Sequence, residues 1–249
     1  VVKMISSINE IVIPVVILCM IGVLAYKTKI VRGSGLWSGF IIGFTVWVCA
    51  GWEYFVISLT FFVLAGAATK YKYEQKKRRG VAEARKGARG YGNVFGNGII
   101  AMICAVLEGV YGGGYFLAGF LGAMACATAD TAGGEIGRLS KTPPVLITTF
   151  ETVEPGTEGG ITVLGEAAEL GIAGIIGLLA WVLGMQSGSF SGVNLFLAIA
   201  AAGFIGANID SVLGATCETH LSWWGNNQTN LWATVSGCLS AVAIYFLMS

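Results

Sequence analysis

The chain has 249 residues, of which 55% are hydrophobic and 12% charged, with a mean hydropathy of +0.75 and a net charge of +1. Soluble domains carry about 25% charged residues, so this composition excludes an ordinary water-soluble fold and makes lipid the expected solvent. A charge near zero selects no partner by itself; the bilayer is the expected partner, and nucleic acid is not.

A bilayer-crossing helix needs about 20 apolar residues. In chain order the apolar segments are Ile11–Tyr26, Leu36–Gly51, Tyr54–Thr69, Val94–Glu108, Tyr115–Asp130, Thr162–Gly184, Val193–Asp210 and Leu231–Met248. Two of them are short enough to merge or to re-enter, so the reading is an all-α, polytopic transmembrane helix bundle of seven to eight spans. It forms a single integral membrane domain over residues 1–249, with a basic segment at about 70–90. The 37 glycines suit such a bundle, because small residues let membrane helices approach closely. The six cysteines are dispersed, mostly inside apolar runs, and read as small membrane residues.

The charges support the count of eight. With alternating spans, the loops at 27–35, 70–93, 131–161 and 211–230 share one side. Of the 15 Lys and Arg, all but Lys3 fall there: Lys27, Lys29 and Arg32, the run from Lys70 to Arg89, then Arg138 and Lys141. The positive-inside rule makes that side cytoplasmic. The run from Lys70 to Arg89 reads as a cytoplasmic amphipathic helix or extension. It serves either as a topology signal drawn to anionic lipid or as part of a phosphate site.

Ionisable groups at membrane depth are costly, roughly 2.5–3.5 kcal/mol each on insertion scales, and mark function by default. Asp130 and Asp210 each follow a ridge of small residues. Gly119, Gly122, Ala123, Cys126 and Ala127 lead to the first; Ala198, Ala202 and Gly206 lead to the second. Spacings of three and four put each ridge on one helix face, so both aspartates belong to packing faces and point to a shared site. Around them gather Thr131, Glu135, Arg138 and Lys141, then Gly156, Thr157, Glu158, Gly159 and Gly160 before the next span. Glu166 and Glu169 lie at i, i+3 in that span, Ser211 and Thr216 follow Asp210, and Asn93, Asn97 and Gly98 open the fourth span. All fall on the cytoplasmic side. Carboxylates with hydroxyls and amides suit Mg²⁺, which takes oxygen ligands and leaves places for phosphate. Glycine-rich turns before helices suit phosphate itself. Together these residues describe a site for a nucleotide–magnesium complex. His220, the one histidine, is not needed for it. Gly96-Asn-Gly-Ile-Ile-Ala101 lacks the preceding strand that a dinucleotide fingerprint requires.

Three stretches, Ala127–Gly137, Pro155–Gly165 and Asp210–Thr216, resemble in order one membrane family, long labelled domain of unknown function 92, which includes a phytyl-phosphate kinase. The resemblance extends distantly to the CTP-dependent phytol and dolichol kinases. It implies a prenyl-phosphate kinase. The γ-phosphoryl group of a nucleotide, CTP, would pass to an isoprenoid monophosphate such as phytyl or geranylgeranyl phosphate, giving the diphosphate. Asn97, Asp130, Glu135, the 156–160 loop, Asp210 and Ser211 carry over as site residues. On this reading Asp130 and Asp210 hold Mg²⁺ with Glu135 or Glu166, and the 156–160 loop and the Asn97 region cradle phosphates. Arg138 and Lys141 stabilise developing charge. The prenyl tail lies in a groove between glycine-rich helices, open to lipid. The lysine of the lipid-kinase loop has no counterpart beside Pro155. Two rival readings share these features: a CTP-dependent cytidylyltransferase making a CDP-lipid, and a transporter or channel using intramembrane carboxylates. The sequence leaves homo-oligomerisation open.

Overall fold

Lipid offers a backbone no hydrogen-bond partners, so an apolar run that crosses it must satisfy its amides internally. The computed structural model describes residues 8–28, 30–83 and 87–249; Lys3, Lys29, Arg85 and Lys86, counted above among the basic residues, lie outside the described residues. Eight described helices are long and apolar enough to span a membrane. They are α1 (Asn9–Lys27), α2 (Gly33–Ala50), α3 (Trp52–Lys70), α5 (Tyr91–Tyr111), α6 (Tyr115–Gly137), α7 (Val163–Val182), α8 (Gly192–Leu213) and α9 (Asn226–Met248). A short helix, α4 (Tyr73–Arg78), follows α3, and a five-residue π turn, Gly214–Glu218, extends α8. Two dipeptide strands, β1 (Val145–Leu146) and β2 (Gly160–Ile161), pair antiparallel with Val145 opposite Ile161 and Leu146 opposite Gly160. The helical class and the count of eight spans therefore stand.

The centre of the bundle is α6, 83% buried over its most apolar window, with α5, α7, α8, α9 and α3 packed around it. Its small residues explain why. A Cβ added at Gly122 would lie 2.3 Å from the carbonyl oxygen of Gly237 on α9, and one at Gly206 on α8 would lie 2.6 Å from Cys126 Sγ. The predicted ridges are thus the surfaces on which α6, α8 and α9 meet at near-backbone contact. By contrast α1 is only 17% buried and rests mainly on α2.

Two details differ from the sequence reading. α6 runs to Gly137, so Asp130 lies about two turns inside the helix instead of at its end. The basic segment is no long amphipathic helix: α4 spans six residues and then gives way to irregular chain. The reason is a single side chain. Lys76 is fully buried, where its ammonium donates to the carbonyls of Ala68 (2.9 Å) and Thr69 (3.0 Å) at the end of α3 and to the Glu135 carboxylate of α6. These bonds fold the segment back over the bundle end.

Candidate active site at one end of the bundle

The three basic loops converge on one end of the molecule. Lys70 Nζ donates to Thr28 O at 2.9 Å, tying α3 to α1. Arg32 N donates to Arg89 O at 3.0 Å. Arg79 Nη1 donates to Ser140 O at 2.8 Å. Beneath these loops opens a polar cleft of about 560 Å³.

Its floor is carboxylate. Asp130 on α6 and Asp210 on α8 stand within hydrogen-bonding reach of each other, and Glu166 and Glu169 on α7 line the same cleft. Oδ1 of Asp210 and Oε2 of Glu169 are buried without a hydrogen-bond partner among the described residues. Buried polar atoms are almost always paired, so two orphaned carboxylate oxygens in one cleft suit a cationic ligand. Among the described residues no three His, Cys, Asp or Glu side chains form a set able to hold a metal ion by themselves. Mg²⁺ fits such a sparse set, because it binds through one or two carboxylates and completes its octahedron with water and phosphate oxygens.

The roof is the 138–161 connection. Gly156, Thr157, Glu158, Gly159 and Gly160 line the cleft. Gly159, at φ +74°, lies so close to α8 that an added Cβ would sit 2.6 Å from Ser211 O; only glycine admits both the left-handed backbone and that approach. Thr157 Oγ1 turns back to Glu154 O at 2.7 Å. The first turn of α7 faces the cleft through Thr162, Gly165 and Glu166, and α9 begins at its edge with Asn226. Thr162 caps α7 by accepting from Gly165 N at 3.0 Å. Two helix N-termini, each the positive end of its dipole, therefore open on the cleft.

Cationic groups stand along one wall. Arg138 Nη1 donates to Glu135 Oε1 at 2.9 Å and to Glu83 Oε2 at 3.1 Å. Burial disfavours the Arg138 charge, but the Glu135 and Glu83 carboxylates outweigh it and hold its pKa above the ordinary value. Lys141 is exposed at the rim.

The structure brings Asp130, Thr131, Glu135, Arg138, Lys141, Gly156 to Gly160, Glu166, Asp210 and Ser211 to one cleft. Glu135 arrives in a different role from the one expected. Its two oxygens are taken by Lys76 and Arg138, so it positions cations and offers no free oxygen to a metal. Four expected residues are elsewhere. Thr216 is exposed, bonds to Val212 O at 2.7 Å and does not line the cleft. Asn97 is buried and donates to Asn93 O at 3.0 Å. Asn93 and Gly98 line a separate apolar groove. Local backbone bonding and helix packing account for them. The amides that do line the cleft are Asn226 and Asn230 of α9; the polar run Asn226-Asn-Gln-Thr-Asn230 ahead of the last apolar segment was their signal. Arg79, Glu83 and Arg89 also line it, and nothing in the basic run singled them out.

The profile of the integral membrane protein family DUF92 matches residues 16–238. An uncharacterized membrane protein of Methanocaldococcus jannaschii is 33% identical over 233 residues, covering 94% of this chain and 93% of its own. The Arabidopsis thaliana protein PGR is 32% identical, covering 82% of this chain and 77% of its own. The chloroplastic protein VTE6 of the same plant is 31% identical, covering 84% of this chain and 63% of its own. No solved structure matches.

Proposed function

The chain belongs to the DUF92 family of integral membrane proteins, and on that premise we propose that its polar cleft transfers a phosphoryl group from a nucleotide to a prenyl monophosphate. The observation that carries this reading is the pair Asp130–Asp210, side by side at the cleft floor with an Asp210 oxygen buried and unpartnered. A glycine-rich loop covers it and Arg138 stands beside it.

Phosphoryl transfer depends on positioning and charge neutralisation more than on covalent chemistry by the protein. A phosphate monoester has a second pKa near 6, so the acceptor is already anionic at neutral pH and needs no strong base. Its oxygen attacks the γ-phosphorus in line, the β–γ bridging P–O bond breaks, and the nucleoside diphosphate leaves. Asp130 and Asp210 would hold Mg²⁺ as its two protein carboxylates, water and phosphate oxygens completing its shell; Glu166, expected as a third ligand, does not join them in a set able to hold a metal. When bound, that ion would neutralise charge on the phosphate oxygens. The chain's own groups do the remainder. The backbone amides of Gly156, Glu158 and Gly159, with the first two amides of α7 and of α9, offer donors to the nucleotide phosphates. Ser211 adds a hydroxyl donor. Arg138, held in place by Glu135 and Glu83, meets developing charge, and Lys141 does so from the rim. CTP is the donor that the resemblance implies, and the positive-inside rule, applied to the basic loops, supports a cleft that faces the cytoplasm.

The test is turnover by purified protein in detergent with Mg²⁺, a nucleotide panel and phytyl or geranylgeranyl monophosphate, with products read by mass spectrometry. The expected products are the prenyl diphosphate and the nucleoside diphosphate. Pyrophosphate with a CDP-lipid would move the assignment to a cytidylyltransferase. Absence of any turnover by folded protein would remove the kinase reading and favour a transporter, although a cleft confined to one end of the bundle argues against alternating access at the midplane.

A further inference from the structure

Two cavities meet at Arg89. One is the polar cleft. The other is an apolar groove of about 650 Å³ between α1, α2 and α3, with Met124 of α6 and the start of α5 in its walls; Arg89 lines both. The groove begins at the basic end beside Lys27 and Gly33 and reaches Leu18, Gly43 and Phe55 inside the bundle. From Gly33 to Gly43 along α2, a rise of 1.5 Å per residue makes it about 15 Å deep.

Arg89 is fixed where the two spaces join. Its N–H donates to Ile30 O at 3.1 Å and its carbonyl accepts from Arg32 N at 3.0 Å. Its guanidinium, half-buried, has no ion-pair or hydrogen-bond partner among the described residues. It acts electrostatically on Asp130. A half-buried arginine with no direct ion-pair or hydrogen-bond partner among the described residues, between a phosphate-chemistry cleft and a hydrocarbon-lined groove, complements one anionic head on one apolar chain.

We propose that this groove holds the tail of a single-chain prenyl monophosphate and that Arg89 grips its phosphate at the cleft entrance. The assignment rests on the phosphoryl-transfer reading of the cleft and adds the acceptor's path and the group that orients its head. One groove and one free guanidinium match one chain and one phosphate, whereas a bilayer phospholipid brings two chains. Passage between α1 and α2 also leaves the tail in apolar surroundings while the phosphate enters the polar cleft.

Gly39 provides the test, because it lines the groove and a Cβ there would meet nothing within 4 Å. In Gly39→Phe the Cβ meets no protein atom within 4 Å and the ring takes up groove space. With full-length protein in detergent, kcat/KM for geranylgeranyl monophosphate relative to dimethylallyl monophosphate falls by ~10-fold or more, through KM, since each buried methylene contributes severalfold to binding. An unchanged ratio in a folded variant overturns the assignment. A second arm does not need turnover. A diazirine-bearing prenyl monophosphate cross-links to α1–α3 in the wild type, is displaced by geranylgeranyl monophosphate, and loses this site in Gly39→Phe. Cross-linking elsewhere, or equal displacement by dioleoyl phosphatidic acid, overturns the groove. Cross-linking at the groove without turnover of any substrate would instead sink the kinase reading and leave the groove standing. Arg89→Gln weakens binding of the monophosphate probe more than that of the matching alcohol; equal weakening removes Arg89 as the head-group grip.

Discussion

Helices α6 to α9 and helices α1 to α3 answer the same demand, satisfying backbone in lipid, with opposite packing. Around α6 the helices touch through Gly122, Cys126, Gly206 and Gly237 at near-backbone distance. Around α1 there is an open groove, and Gly39 faces empty space. In membranes no hydrophobic force drives helices together, so close packing by small residues is what fixes a rigid arrangement. The rigid half carries the carboxylates, whose geometry must hold; the loose half leaves a space that an apolar molecule can enter. Rigidity and access are thus divided between two parts of one bundle.

Asp210→Asn tests the claim that the rigid half is organised for chemistry at some cost to stability. Replacing one of two adjacent buried carboxyls, one of them with an unpartnered oxygen, by a neutral amide removes a group that can carry charge, and burying a charge is destabilising unless it is paired. Turnover is expected to fall on the order of 10²–10³-fold, while the thermal midpoint in detergent stays level or rises. Loss of both together would mean that Asp210 is a packing residue. Lys76→Met comes next. It strands Glu135 with Arg138 alone in a buried setting, and breaking one partner of a buried pair costs roughly 3–5 kcal/mol. Thermal unfolding should show that loss, and the double change Lys76→Met with Glu135→Leu should recover much of it; no recovery would place the role of Lys76 in capping α3. A smaller effect compares one substitution in both halves. Gly122→Ala drives a Cβ against the Gly237 carbonyl and should cost roughly 1–3 kcal/mol. Gly39→Ala meets nothing and should leave stability level or raise it by up to about 1 kcal/mol through helix propensity. Equal responses would erase the contrast between the two halves.

The spans were legible because lipid imposes a length and a composition that few other sequences meet, and the charges then fixed their alternation. The ridges were legible because helix periodicity maps small residues onto one face, which is why Asp130 and Asp210 could be paired without coordinates. The end of α6 was not. Thr131 to Gly137 looks like a polar loop, and it continues as helix because Glu135 is neutralised by Lys76 from α4 and by Arg138 at the helix's own C-cap. Lys76 itself was hidden in a run of basic residues with no periodicity to mark the buried one. Asn97 misled for the opposite reason: its amide satisfies itself on Asn93 O within its own helix. An amide's partner, unlike a hydrophobic face, leaves no repeat in the sequence.

The smallest effect concerns the roof of the cleft. Glu158 stands in the glycine-rich loop, where partial burial, then the nearby Glu218 carboxylate, push its pKa above the ordinary carboxylate value despite the opposing pull of Arg138. A carboxyl with a raised pKa in the folded protein holds its proton more tightly there than in the unfolded chain. Stability from this group is therefore present below the ordinary carboxylate pKa and lost as pH rises through the raised one. Function follows the same sign. As pH rises through that window, Glu158 gains a negative charge facing the proposed nucleotide phosphates, so KM for the nucleotide should rise. The side chain is exposed on the loop surface, water screens it, and the change should be only a few-fold, roughly 2–5-fold. Glu158→Gln should remove that limb of the pH profile and lower KM at neutral pH by a similar factor, with kcat little altered. A profile identical to the wild type would separate Glu158 from the phosphates and place the nucleotide deeper, toward α7 and α9.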